Sequence, residues 1–298
     1  MAEALLIRLA HEEIIYLLRA LDIAQLGNLT PETLGDLDDD HRALAMAIAD
    51  RSLRARAMVH WKDVENRDVD GVVAGVLRAC AAPRFTLEID ARRSGQLARQ
   101  FRYTFSERVA IEQVVAEPGI YQFLTTISAS DVLRQLRLLL QLDETADQPL
   151  DAALIPVTRY SIPFHALTAA RDSVITDPAS ARSLLADALP EPIAASLIEA
   201  FVAPIASYSL SFHAGPAETG QPAQLTHNVA SSREPREQRW LTVLQSAPSC
   251  WLLRRDGDVP KRVEVSIATT AQALREVEAL ARPALALLAP TDEREGVL

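Results

Sequence analysis

The chain has 298 residues, 49% of them hydrophobic and 5% aromatic, and carries a formal net charge of −10. A chain of this length buries about three quarters of its unfolded surface, and Leu, Val, Ile and Ala must fill most of that core. The negative balance excludes the broad positive field behind nonspecific nucleic-acid or anionic-membrane binding, and no run approaches the ~18 uninterrupted apolar residues of a transmembrane helix.

Residues 3–22 read as an amphipathic helix, with Leu6, Ala10, Ile14, Leu17 and Leu21 at helical spacing. Glu3, Arg8, Glu12 and Glu13 interrupt the opening apolar run and no basic n-region precedes it, so a signal peptide is not expected and a cytoplasmic location is. A turn at Gly27-Asn28 leads to Thr30-Pro31-Glu32, a cap with Pro at the first helical position. Asp38-Asp39-Asp40 opens a second helix to about residue 57, its buried stripe Ala45, Ile48, Ala49 and Leu53. Carboxylates suit a helix N-terminus. A third helix spans 69–80 with Val69, Val72, Val73, Val76, Leu77 and Cys80 on one face, and Pro83 ends it.

The period then changes to two. Phe85, Leu87 and Ile89 alternate with polar residues, as do Phe101, Tyr103 and Phe105. Val109–Val115 and Tyr121–Ile127 read as further strands around a Glu117-Pro118-Gly119 turn. Ser128 to Asp131 caps a helix with Val132, Leu133, Leu136, Leu139 and Leu140 inward. Residues 143–151 (DETADQPLD) read as a linker, followed by an irregular segment broken by Pro156 and Pro163. Short helices are expected at 164–173, 178–188 and 191–202, then alternation through Tyr208, Leu210 and Phe212. Strands follow near 225–230, 239–245, 249–254 and 262–267. Thr269-Thr270 caps a last helix carrying Leu274, Val277 and Ala281, and Pro283 should kink or end it. The tail 290–298 reads as disordered.

The order helices, Pro, alternating strands, capped helix thus occurs twice. Ala82-Pro83 precedes the first strands and Ala203-Pro204 the second, and TISASDVLRQL parallels SIATTAQALREV with Leu133-Arg134 matching Leu274-Arg275. The expected fold is α+β: a mixed, mostly antiparallel sheet with packed helices, built as a pseudo-twofold internal repeat of a helices-strands-helix unit. Residues 1–142 form the first unit, 143–151 the linker and 152–289 the second unit. A sheet continuous across the halves would remove one exposed edge from each.

Candidate chemistry is sparse. His11-Glu12-Glu13-Ile14-Ile15 opens like a zinc-protease helix, but Ile15 stands where the second His must be, so His11 and Glu12 read as solvated helix residues. Asp36, Asp38, Asp39, Asp40 and His41 lack the spacing and closing Glu of a calcium loop and read as a solvated helix start. His213 and His227 could meet across a hairpin but have no third ligand. Cys80 and Cys250 form no CxxC pair, and Cys80 reads as a core residue. No nucleophile elbow and no glycine-rich phosphate loop occurs. No catalytic, cofactor-binding or metal-ligating residue is therefore assigned. Arg84, Arg92, Arg93, Arg99, Arg102 and Arg108 interleave with Phe101, Tyr103 and Phe105, a pattern read as aromatics facing the core and Arg facing water. Trp61, Trp240 and Trp251 read as core or boundary residues. Lys occurs only at Lys62 and Lys261, a bias that with abundant Ala fits a GC-rich bacterial genome.

The segments LLRALDIAQLGNL, RSLRARAMV and ACAAPRFTLEID, with the later QRWLTVLQ, CWLLRRDGD and VEVSIATTAQALREV, together resemble the EspG-type chaperones of type VII secretion and related bacterial proteins. The resemblance is one of pattern over most of the chain. It implies a pseudo-twofold α/β body, no catalysis, and binding of a helical secreted pair. The leading reading is accordingly a non-catalytic cytosolic protein-binding module, a chaperone or adaptor for a helical or strand-donating partner, with no nucleic acid, membrane or cofactor. Two others stay open: an enzyme whose site is assembled from scattered acidic, His and Arg residues, and a homo-oligomeric structural module. The loops 213–223 and 231–238, bracketing a strand at 225–230, are the expected contact region.

Overall fold

The computed structural model describes residues 4–27, 29–31, 34, 37–62, 67–141, 158–215, 238–246, 250–255 and 261–289. The first part of the chain runs β1 (Leu6–Ala10), α1 (His11–Ala20), α2 (Asp39–Ala55), a small ribbon of β2 (Val59–Trp61) and β3 (Arg67–Val69), and α3 (Gly71–Ala81). A meander follows: β4 (Phe85–Arg93), β5 (Arg99–Ser106), β6 (Val109–Glu117) and β7 (Ile120–Thr126), then α4 (Ala129–Leu140). The second part runs β8 (Arg159–Pro163), α5 (Phe164–Ser173), α6 (Pro178–Leu185) and α7 (Glu191–Val202). A second meander of β9 (Ala206–Ala214), β10 (Gln238–Gln245), β11 (Cys250–Arg255) and β12 (Arg262–Ala268) leads to α8 (Thr270–Leu285) and a 3-10 turn, Ala286–Leu288.

Ten strands form one sheet in the order β1-β7-β6-β5-β4-β9-β10-β11-β12-β8, with every described pairing antiparallel. The fold is α+β, as the alternation of periods predicts. The halves meet at β4 and β9, paired from Phe85 with Ala214 to Arg93 with Ala206. Read outward from that seam, both halves have the same strand order: four meander strands, then the half's own first strand. The seam covers an edge that each meander would otherwise expose.

Strand alternation gives the sheet two faces. On one, Leu87, Ile89, Tyr103 and Phe105 pack with Tyr208, Leu210, Phe212 and Leu241 beneath α4 and α8, so both halves share this core. On the other face the helices form two separate groups. Ile14, Leu17, Leu53, Val73 and Leu77 of α1–α3 cover Ile111 and Phe123. Leu167, Leu185 and Leu197 of α5–α7 cover Trp251, Val263 and Val265.

Several expected elements differ. The helix expected over 3–22 starts only at His11, because residues 6–10 form an edge strand pairing Leu6 with Leu124 through Ala10 with Ile120. Ile7 and Leu9 are buried while Leu6 is 49% exposed, a period of two that the helical reading passes over. The Glu13 carboxylate then caps the helix, accepting from the Ala10 N–H at 2.8 Å. The third helix starts after Val69, which lies in β3; the Asp70 carboxylate accepts from the N–H groups of Val72 and Val73 and turns Val72 outward, 54% exposed. In α2 the buried line is Ala49, Asp50 and Leu53, and Ile48 is 52% exposed. The segment expected to be irregular around Pro163 contains β8, whose proline ends an edge strand, where a missing N–H is tolerated.

Helices α5 and α7 have the expected bounds, and α6 stops earlier, at Leu185. Ser128 and Thr269 cap α4 and α8 as expected. Pro283 lies inside α8, which ends two residues later in the 3-10 turn. The linker 143–151, the strand at 225–230, most of the loops 213–223 and 231–238, and the tail 290–298 lie outside the described residues. No helix among the described residues is long and apolar enough to cross a membrane.

Candidate functional site

The residues with chemical promise in the sequence are scattered by the fold. His11 begins α1 with its ring tilted against that of Tyr121, centroids 6.2 Å apart, while Ile15 is fully buried. Asp38 caps α2, accepting from the His41 N–H at 2.9 Å, and its second contact is the His41 ring at 2.7 Å. That backbone bond holds the Asp38 carboxyl below its ordinary range. Asp36 and His227 lie outside the described residues. Cys80 and Cys250 are buried thiols that form no disulfide; burial pushes the Cys80 thiol up to about 11, and the Thr104 hydroxyl, 3.4 Å away, partly offsets this. Trp251 is fully buried, whereas Trp61 is 50% exposed beneath the Arg54 guanidinium. Among the described residues no group of three or more His, Cys, Asp or Glu stands close enough to hold a metal ion.

The fold assembles a different surface, at the seam. Its β4 and β9 side chains that point away from the α4/α8 core lie between the two helical groups of the opposite face. From β4 come Thr86, Glu88, Asp90 and Arg92, and opposite them in register stand His213, Ser211, Ser209 and Ser207 of β9. The neighbouring strands add Arg102 of β5, beside Glu88, and Thr242 of β10, beside Ser209. Residues of this row other than Thr86 and Thr242 remain half-buried or exposed, because the helices of this face cover the two ends of the sheet and not its middle.

Short-range geometry organises the row. Glu88 lies 3.7 Å from Arg102 and 4.0 Å from His213. Gln100 donates to Asp90 at 2.8 Å, and the Ser209 and Thr242 hydroxyls bond to each other at 3.2 Å. The Arg102 Nε is buried without a hydrogen-bond acceptor. Its guanidinium occupies space that Gly27 leaves open: a Cβ there would come within 2.5 Å of an Arg102 terminal nitrogen. Burial lowers the His213 pKa; Glu88 opposes that shift and Arg102 adds to it. The row therefore offers hydroxyls, a lightly basic imidazole and one carboxylate–guanidinium pair, a surface for polar recognition. At its margin Val202 and Ile205 are about half exposed at the α7–β9 junction.

This surface was half legible. Alternation of Ser207, Ser209 and Ser211 with Tyr208, Leu210 and Phe212 marks one polar and one apolar face. Nothing in the period says that β9 pairs with β4, so the meeting of Glu88 with Ser211 and His213 could not be read. The Arg reading needs one correction. Arg102 lies on the face away from the aromatics, but Arg93 and Arg99 lie on the face of Tyr103 and Phe101, at the end of the β4–β5 hairpin.

No protein-family model matches the chain, and no curated protein matches it in sequence. Among solved structures, HtdX of Mycobacterium tuberculosis aligns with a TM-score of 0.15 at 14% identity over 89% of this chain and 99% of that one, too low to imply a common fold. The Mycobacterium tuberculosis type VII secretion system chaperone EspG5, solved in complex with the PE25-PPE41 dimer, aligns with a TM-score of 0.56 at 14% identity over 93% of this chain and 95% of that chain. The resemblance first seen in the sequence pattern is thus a resemblance of fold along nearly the whole length: this chain has the EspG5 fold.

Proposed function

We propose that the chain is a non-catalytic chaperone or adaptor that works in the cytoplasm and holds a helical partner protein on the seam face of its sheet. What supports this reading is the fold: the structure it matches is that of a chaperone bound to a protein dimer. The seam supplies a place. It is a long, open, polar strip on a rigid sheet, with the exposed aliphatics Val202 and Ile205 at its margin. The hydroxyls and charges of the strip can supply direct hydrogen bonds, of which a typical protein contact has about ten, and Val202 and Ile205 add apolar area beside them.

Affinity capture from the native cytosol with tagged wild type and with Ser211→Trp, each followed by mass spectrometry, tests the reading. Ser211 is half-buried on the strip, so the indole blocks the floor without entering the core. The wild type is expected to retain a defined partner that is helical when co-purified, and Ser211→Trp to lose it while melting at the wild-type temperature. Capture of the same partner in equal yield by both proteins rules out the seam, and a wild type that retains no partner overturns the function.

A further inference from the structure

The core beneath α4 is not closed along its whole length. A recess of about 320 Å³ lies between α4, the β4–β5 hairpin and the strands beside it, at the small end of ligand-binding cavities. Register sets its length. Arg99 pairs with Ala91 at one end, and Tyr103, four residues along β5, pairs with Glu112 at the other. At the rise of an extended strand this is ~13 Å.

The two ends differ in chemistry. The hairpin end is cationic, lined by Arg93 and Arg99. Arg93 Nε donates to the Tyr208 hydroxyl at 2.9 Å, and neither its terminal nitrogens nor Arg99 forms an ion pair among the described residues. The carboxylate of the recess, Glu112, is at the far end and already accepts from the Tyr103 hydroxyl. The middle is apolar, with Phe101, Leu138 and Leu139 along it. At the far end Gln135 uses its amide N–H on Thr126, while its Oε1 is buried with no donor. A buried amide oxygen without a donor is costly until one arrives.

We propose that this recess binds a medium-chain monocarboxylic acid with a hydroxyl at its far end. The carboxylate lies on Arg93 and Arg99, the chain runs along Phe101, Leu138 and Leu139, and the hydroxyl donates to Gln135 Oε1. The recess is on the face opposite the seam, so the proposal does not depend on the partner reading.

The test is calorimetric titration of the full chain with 10-hydroxydecanoate, decanoate and 1,10-decanediol. The hydroxy acid is expected to bind saturably, decanoate about tenfold more weakly, and the diol at least about tenfold more weakly than the hydroxy acid. Arg93→Gln and Arg99→Gln should each weaken both acids by about tenfold, the loss of a charge-assisted contact. Arg99 is exposed, so its variant keeps the test valid even if Arg93→Gln melts early. Gln135→Leu should erase the advantage of the hydroxy acid and leave decanoate unchanged. Equal affinity for the diol and the acids, no saturable binding of the hydroxy acid at ~5 mM, or unchanged affinity in Arg99→Gln would each overturn the proposal.

Discussion

Helices α4 and α8 hold matching places in the two halves, each entered from a fourth meander strand through a hydroxyl cap, yet they close the sheet differently. Under α8, Glu276 joins Arg254 at 3.3 Å and Arg159 at 3.5 Å, and both arginines also reach Glu264, at 3.0 and 3.4 Å. In the matching of Leu133-Arg134 with Leu274-Arg275, the residue that follows is Gln135 in α4 and Glu276 in α8. Gln135 Oε1 bonds no guanidinium among the described residues; it is buried without a donor, and the recess opens beside it. One order of strands thus supports a side sealed by a charge network and a side left hollow. The difference lies in a few side chains and not in the backbone plan.

The two helices differ most in packing. Leu274 is 4% exposed and Leu133 is half-buried. Leu274→Ala should cost about 2 to 5 kcal/mol, the range for a packed core, and Leu133→Ala only about 1 kcal/mol. Leu77→Ala in α3, a fully buried site away from both roofs, should also fall at about 2 to 5 kcal/mol. Urea unfolding measures all three. Equal losses at Leu133 and Leu274 would mean that α4 is packed as tightly as α8.

The caps of the two helices differ as well. The Thr269 hydroxyl accepts from the Gln272 N–H at 3.1 Å, and Gln272 Oε1 accepts in turn from the Thr269 N–H at 2.8 Å. Ser128 accepts from the Asp131 N–H at 3.4 Å, and its hydroxyl also contacts Ser130. Thr269→Ala should therefore cost about 1 to 2 kcal/mol and Ser128→Ala about 0.5 kcal/mol. The reverse order, in thermal melts of the two variants, would show that hydrogen-bond length does not rank these caps.

The charge network is expected to matter less than its geometry suggests. Glu276, Arg254 and Arg159 are 28 to 47% exposed at their side chains, and water screens such pairs to about 0 to 1 kcal/mol. Glu276→Gln should lower stability by no more than about 1 kcal/mol, with the difference from wild type shrinking at high salt. A loss that does not respond to salt would assign the role of Glu276 to packing.

How much of this was legible follows from what each signal encodes. The caps Ser128 and Thr269, and the bounds of α5 and α7, rest on local chemistry that one stretch of sequence contains. Strand β1 was not legible, because Leu6, Ala10, Ile14, Leu17 and Leu21 satisfy a helical period even though Ile7 and Leu9 are the buried pair. Strand β8 was hidden by Pro163, which marks a break only if the edge position is unknown. The charges at Asp38 to His41 read correctly as a helix start, since the Asp38 carboxylate meets the His41 N–H within the same turn. Both candidate surfaces needed long-range pairing. Glu88 meets His213 across the seam, and Arg99 reaches the α4 recess through hairpin register; neither meeting leaves a trace in local period.

Titration separates the two faces of the sheet by pH. On the seam face, burial lowers the His213 pKa, with Glu88 opposing. The unfolded chain then takes up the proton more readily, so the stability tied to His213 is present above its unfolded pKa of about 6.5 and is lost as pH falls toward the folded value. On the α4 face, burial raises the Glu112 pKa, and the Tyr103 hydroxyl partly offsets this. The folded chain holds that proton more tightly, so the stability tied to Glu112 is present below its unfolded value of about 4.3 and is lost as pH rises through the folded value. The two slopes oppose each other, and each involves at most one proton, so neither exceeds about 1.4 kcal/mol per pH unit. Urea midpoints from pH 4 to 8 resolve them in variants. His213→Asn should flatten the rise in stability with pH below about 6.5. Glu112→Gln, whose amide oxygen can still accept from Tyr103, should remove the opposing loss and raise the midpoint at pH 7 relative to pH 4. If His213→Asn keeps the wild-type slope, the imidazole titrates freely and the seam face is open to water at that point.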